Sequence, residues 1–211
     1  MRLKMKKNLF LFISLMIFLG IPCSKAYADW KPVEKYHIFQ DNAPEPCKIS
    51  KFQYNVYLLK ISGKYLTFYK SQDSGKTFDS GLIIRVVDQC EFEMSVDSYG
   101  TIHIFYTFPT QNGSLIYYQL SKNHGQTFST PLVLTQNLER SSEISCFIQN
   151  QNTIFLVFIS KIESTSEIFY VKSIDSGSTF SKPFRVTDNN IKENYPDIAF
   201  YNNTVFIAYQ T

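Results

Sequence analysis

Ser71-Gln72-Asp73-Ser74-Gly75-Lys76-Thr77-Phe78 decides how the chain is to be read, because it returns as Ser121-Lys122-Asn123-His124-Gly125-Gln126-Thr127-Phe128 and again as Ser173-Ile174-Asp175-Ser176-Gly177-Ser178-Thr179-Phe180. The three copies start 50 and 52 residues apart. That period belongs to repeats that each build one supersecondary unit and bury their apolar faces by stacking on their neighbours. Any function must be built on a repeat scaffold.

Two further phrases precede each octapeptide. Thr101-Ile102-His103-Ile104-Phe105-Tyr106, Thr153 to Phe158 and Thr204 to Tyr209 are β-branched and aromatic runs. About eight residues earlier stand Glu93-Met94-Ser95-Val96, Glu143-Ile144-Ser145-Cys146 and Asp197-Ile198-Ala199-Phe200, read as equivalent through their acid, aliphatic and small residues. A third run leads into the octapeptide (Leu115 to Tyr118, Ile168 to Val171) and a fourth follows it (Pro131 to Leu134, Pro183 to Val186). Short runs of this composition between Gly, Asn and Gln read as strands and tight turns. Each unit is expected to be four antiparallel strands, and such units side by side are the blades of a β-propeller.

Inside the octapeptide the side-chain oxygen of Asp73, Asn123 or Asp175 can accept loop N–H bonds, and Gly75, Gly125 and Gly177 can take φ > 0. Ser71, Ser121 and Ser173 with Thr77, Thr127 and Thr179 supply hydroxyls. Phe78, Phe128 and Phe180 have the bulk to fill the space between adjacent sheets, each burying roughly 150 to 250 Å². The octapeptide reads as a fold device.

The pattern S-x-D-x-G-x-T-F resembles the Asp-box, or BNR, repeats of the sialidase-like superfamily, met in full at Ser71 and Ser173 and with Asn123 in place of Asp in the middle copy. The resemblance runs from about Cys47 to Thr211. It implies an all-β propeller of four-stranded antiparallel blades, with about three and a half blades of a six-bladed ring present. That family holds sialidases, other glycoside hydrolases and non-enzymatic propellers such as sortilin-type receptors, and its boxes lie away from the catalytic face, so the boxes carry no activity by themselves.

Residues 1 to 28 read as a signal peptide. Arg2, Lys4, Lys6 and Lys7 precede an apolar stretch from Leu9 to Ile21, and Ala26-Tyr27-Ala28 gives a small-x-small cleavage site, so cleavage near Ala28 and a secreted or periplasmic location are expected. Thirteen apolar residues are too few for a hydrocarbon core of ~30 Å, so no stable membrane anchor is expected. Pro22 argues against lipidation at Cys23. Removing the leader leaves 16 basic against 18 acidic side chains and no polybasic run, which excludes a nucleic-acid partner. Cys47, Cys90 and Cys146 remain; Cys47 and Cys90 bracket the first unit and either form a disulfide or, with Cys146, stay reduced as small apolar residues.

Residues 29 to 47 form an N-terminal segment whose Trp30-Lys31-Pro32-Val33 looks like Phe180 to Phe184, as at the start of a ring-closing outer strand. Residues 48 to 211 hold the blades, and the last stops after its second strand. Three readings stand: a truncated ring, a closed four-bladed ring, or closure by self-association.

A sialidase-type mechanism needs an arginine cluster for a carboxylate, a tyrosine nucleophile paired with a carboxylate, and an acid. After the leader only Arg85, Arg140 and Arg185 exist. Arg85 and Arg185 fall in outer strands and read as edge charges; Arg140 lies next to an inner strand. Glu93, Glu143 and Asp197 would converge at one end of the central channel, either as a catalytic or cation-binding set or bonded to the neighbouring blade. Tyr195 is free to face a ligand, whereas Tyr106 and Tyr209 read as packing residues. His37, His103 and His124 are isolated, so no metal and no cofactor are expected. The expected function is an exported, non-catalytic propeller that binds glycan or protein; the alternative is the N-terminal part of an exo-sialidase or related glycoside hydrolase.

Overall fold

The computed structural model describes residues 46–86, 90–150, 152–189 and 191–211. The chain divides into two compact units, Met1–His37 and Ile38–Thr211, and every described residue belongs to the second. The expected leader and the segment from 29 to 45 lie outside the described residues.

The described residues fold entirely as β-strands and turns. β1 (Cys47–Phe52), β2 (Asn55–Ser62), β3 (Tyr65–Ser71) and β4 (Leu82–Val86) form the first four-stranded sheet, and β5 (Phe92–Val96), β6 (Ile102–Thr110), β7 (Gly113–Ser121) and β8 (Leu132–Val133) the second. The third holds β9 (Glu139–Gln149), β10 (Thr153–Ile162), β11 (Thr165–Ser173) and β12 (Phe184–Arg185); β13 (Asn194–Tyr201) and β14 (Thr204–Gln210) form a two-stranded fourth. Every pairing is antiparallel between sequence neighbours. The four-stranded antiparallel unit expected from the repeat is what forms. Asn202 and Asn203, with φ of 45° and 63°, give the two-residue turn between β13 and β14, whose positive φ values match strand twist. β8 and β12 are only two residues long and follow Pro131 and Pro183, which lack the N–H a longer ladder would use.

The side-chain period of two sends alternate residues of one strand into different interfaces. On β10, Ile154, Leu156 and Phe158 meet Phe105, Ile116 and Tyr118 of the second sheet, while Phe155, Val157 and Ile159 meet Ile198 of the fourth. Between the first two sheets, Tyr57, Leu59, Leu66 and Phe68 pack on Met94, Ile102, Ile104 and Tyr106. Each fully buried chain contributes about 1.5 to 3 kcal/mol by leaving water. The first strands β1, β5, β9 and β13 touch in succession.

Each octapeptide is a closed hydrogen-bond cage between third and fourth strands. Ser173 Oγ donates to Asp175 Oδ1 at 2.7 Å and accepts from the Gly177 N–H at 2.9 Å; Asp175 Oδ1 accepts from the Thr179 N–H at 2.9 Å and Oδ2 from the Thr179 hydroxyl at 2.6 Å. The first box repeats this with Ser71, Asp73, Gly75 and Thr77. In the middle box Asn123 Oδ1 takes the same bonds from Ser121 and the Thr127 N–H, but its Nδ2 donates to Thr127 Oγ1 at 2.8 Å, so that one bond runs the other way. Donation by Thr179, then by Ser173, holds the Asp175 carboxyl down to about 2, and Thr77 and Ser71 hold Asp73 far below the usual carboxylate range.

The boxes also reach the neighbouring sheet. Phe128 meets Phe68 edge-on at 5.1 Å between ring centroids, and Phe180 meets Tyr118 at 4.9 Å. Gly125 and Gly177 have φ of 81° and 82°, and a Cβ on them would fall 2.3 Å from Phe68 Cε1 and 1.9 Å from Tyr118 Oη. Glycine is required there twice, by backbone conformation and by the ring pressed against it.

Candidate functional site

At the starts of β5, β9 and β13 the inner strands frame a groove of about 420 Å³, lined by Pro46, Lys48, Cys90, Glu91, Phe92, Glu143, Ile144, Tyr195 and Pro196. Strand register fixes what stands where. Glu93 lies opposite Phe105, Ser145 opposite Val157 and Asp197 opposite Ala208, so these three are equivalent. This corrects the expected alignment: Glu143 is two residues out of that row. From Thr153 opposite Gln149 to Val157 opposite Ser145 β9 pairs without interruption, so Ser145 falls in the row and Glu143, two residues earlier, sits beside the irregularity that begins after Val157.

Glu143 belongs instead to a row with Glu91 and Tyr195. The Glu143 backbone N–H donates to the Glu91 carboxylate, and the Tyr195 N–H to the Glu143 carboxylate, each bond spanning 52 residues. Both donors have positive φ, 50° at Glu143 and 52° at Tyr195. Each carboxylate thus secures a left-handed residue on the next strand. Glu91 was missed in the sequence, although its 52-residue spacing to Glu143 matches the later box period and could have found it. Burial holds the Glu91 carboxyl above its usual range, the Glu143 charge adds to this, and the donated N–H opposes it; part of Glu91 stays open to water, which limits the rise.

The second row is paired as well. Lys48 Nζ lies 2.5 Å from Glu93 Oε2, and Ser145 Oγ donates to Asp197 Oδ1 at 2.7 Å. Glu93, Glu143 and Asp197 are therefore all bonded between neighbouring sheets, one of the two roles their positions allowed. Tyr195 keeps its ring free, 71% exposed at the groove.

The arginines lie elsewhere. Arg140 is exposed and packs at the β6–β7 turn, where a Cβ on Gly113 would fall 2.4 Å from its Cγ, and it does not line the groove. Arg85 is not the solvated edge charge expected, since its guanidinium stacks 4.2 Å over the Phe108 ring. Arg185 is not one either: it pairs with buried Glu167 at 3.0 Å and with Asp188 at 2.9 Å. Tyr106 is buried, donates to Gln119 Oε1 at 3.0 Å, and burial pushes its phenol up to about 12.

The bridge considered between Cys47 and Cys90 is not formed in this structure. Cys47 is exposed and free, while Cys90 packs against the first core cluster as an apolar side chain. Burial, and then the Glu91 charge, pushes the Cys90 thiol to about 11, so it is no nucleophile near neutral pH. Cys146 is likewise free and raised by burial. Among the described residues no group of three or more His, Cys, Asp and Glu could hold a metal ion.

No known protein-family profile matches this chain, and no curated protein matches it significantly by sequence. Solved structures do. The NanB sialidase from Streptococcus pneumoniae superposes with a TM-score of 0.52 and 16% identity over 69% of this chain and 24% of that one. A second NanB structure, with Optactamide, gives 0.55 and 16% over 74% and 25%. The chain spans about a quarter of the length of the sialidase chains it matches. At this identity the likeness is one of fold alone, that of a β-propeller.

Proposed function

We propose that this chain is an exported sialidase-like propeller, its four sheets successive blades of a six-bladed ring with the last incomplete, which binds glycan at the strand-start groove without cleaving it. One observation carries the non-catalytic part: the groove carboxylates Glu91 and Glu143 are both engaged by backbone N–H groups of the next strand, and no arginine lines the groove among the described residues. Tyr195 supplies an exposed ring on which a sugar can stack, beside carboxylates whose remaining lone pairs can accept hydroxyl bonds.

A glycan array and a fluorogenic sialoside test this together. Saturable glycan binding that Tyr195→Ala weakens at least tenfold, with no turnover, is the expected result. Turnover by the 211-residue chain would overturn it. Export predicts that the protein recovered outside the cytoplasm begins at Asp29; N-terminal sequencing finding Met1 would remove the signal peptide.

A second reading is favoured by coverage alone, since the NanB match occupies only a quarter of that chain. On it, this chain is the N-terminal part of a glycoside hydrolase, and only a longer product of the same gene would turn over the sialoside.

A further inference from the structure

His103 of β6 is completely buried, with buried Asp97 on one side and buried Tyr118 on the other. Its Nδ1 lies 2.7 Å from the Tyr118 hydroxyl, and the two rings stack with centroids 6.0 Å apart. Its Nε2 stands 3.6 Å from Asp97 Oδ2, too far for a hydrogen bond, and has no hydrogen-bond partner. Asp97 is fixed in its turn, because Oδ1 accepts the Tyr99 and Thr101 N–H groups, each at 2.8 Å. A carboxylate facing Nε2 favours a proton there over a lone pair, which leaves Nδ1 to accept from the Tyr118 hydroxyl.

Tyr118 carries this arrangement to the next sheet. Its ring meets Phe180 at 4.9 Å, and a Cβ on Gly177 would fall 1.9 Å from its hydroxyl oxygen. That hydroxyl therefore has the histidine on one side and the third box pressed against the other. Every group in this joint belongs to the second and third sheets or their turns, both four-stranded among the described residues.

We propose that His103 is an acid-sensitive latch between the second and third sheets: neutral, it holds Tyr118 against the third box, and taking up a proton releases that contact. A protonated ring donates from both nitrogens, so Tyr118 loses its acceptor while a cation stands in the joint. The charged and titratable groups around the pair are Asp97 and Lys122 near the imidazole, and Asp175 and the Cys146 thiol near Tyr118. Burial holds the His103 pKa below its ordinary value; the Asp97 charge opposes this without restoring it, and Lys122 adds to the lowering. An unfolded histidine titrates near 6.5, so the stability due to the neutral ring is full above that pH and is lost as pH falls towards the folded value. For a ring that takes no proton while folded, the unfolding constant rises about tenfold between pH 7.5 and pH 5.5.

Urea unfolding of the full chain at these two pH values, beside His103→Asn, tests this, since asparagine offers Tyr118 an acceptor and does not titrate. Glu91 and the other carboxylates titrate in both chains, so the readout is the ratio of the two unfolding constants. That ratio should change about tenfold; a change of less than twofold would overturn the proposal. Hydrogen exchange in the unaltered chain, corrected for intrinsic rates, gives a second measurement that holds even where the variant does not fold. The Gly177 and Gly75 amides both donate to their box serines, but only Gly177 lies against Tyr118. Protection of Gly177 should fall at least threefold more than that of Gly75 between pH 7.5 and pH 5.5, and parallel losses would overturn the latch.

Discussion

The two faces of β10 teach what a complete neighbour contributes. Leu156 and Phe158 look towards a four-stranded sheet and are sealed by Tyr118, Phe169 and the Phe180 wedge; Val157 and Ile159 look towards a two-stranded one, where Ile207 and Val205 are only partly buried. Val157 and Ile159 are themselves as buried as Leu156 and Phe158, so the open side lies in the neighbouring sheet rather than on β10. The difference lies in the partner, because both faces of β10 carry similar aliphatic and aromatic residues.

The largest expected contrast comes from truncating one residue on each side. Leu156→Ala should cost about 2 to 5 kcal/mol and Ile207→Ala about 1 kcal/mol, read as shifts in the urea midpoint. Equal costs would mean that the open side is as tightly packed as the closed one. Next come the box glycines. Gly75→Ala and Gly177→Ala share a positive-φ penalty of about 1 to 2 kcal/mol. At Gly75 the nearest atom to a new Cβ is Val56 Cγ2 at 3.7 Å, whereas Gly177 meets Tyr118 Oη at 1.9 Å, so Gly177→Ala should cost about 1 to 3 kcal/mol more. Similar melting temperatures for the two variants would show that Tyr118 moves aside freely.

A smaller effect separates the boxes by charge. The Asp175 carboxyl sits at about 2 in the folded chain, below the roughly 3.9 of an unfolded aspartate. A depressed value stabilises above the unfolded pKa, and that stability is lost as pH falls from about 4 through about 2. Urea midpoints measured from pH 5 to pH 2 should therefore fall less steeply in Asp175→Asn than in the parent chain; parallel curves would remove the carboxylate from the acid response. The smallest expected change is Asn123→Asp, which at pH 7 should stay within about 0.5 kcal/mol of the parent, because Thr127 need only turn its hydroxyl from acceptor to donor. A large loss would show that the middle box depends on the amide donor.

Much of the fold was legible because each feature is local. The octapeptide fixes its own turn through bonds two and four residues apart, and the β-branched runs announce β6, β10 and β14. The groove was less legible because it depends on register between distant strands. Glu143 was placed with Glu93 and Asp197 by resemblance of short phrases, but the unbroken pairing from Thr153 to Val157 puts Ser145 in that row and leaves Glu143, two residues earlier, in the row of Glu91 and Tyr195. Arg85 and Arg185 were assigned to outer strands, and they lie there; what they touch, Phe108 on the next sheet and Glu167 within its own, depends on packing that spacing does not encode.

The asparagine of the middle box also bears on how the molecule ages. Deamidation of a buried or cage-forming asparagine ordinarily introduces a charge for which the fold has no donors. At Asn123 the two N–H and O–H donors to Oδ1 are already in place, and the Thr127 hydroxyl stands 2.8 Å from the atom that would become the second oxygen. Direct hydrolysis there would turn the middle cage into a copy of the outer two, so this spontaneous lesion would be absorbed by a site built to the same plan.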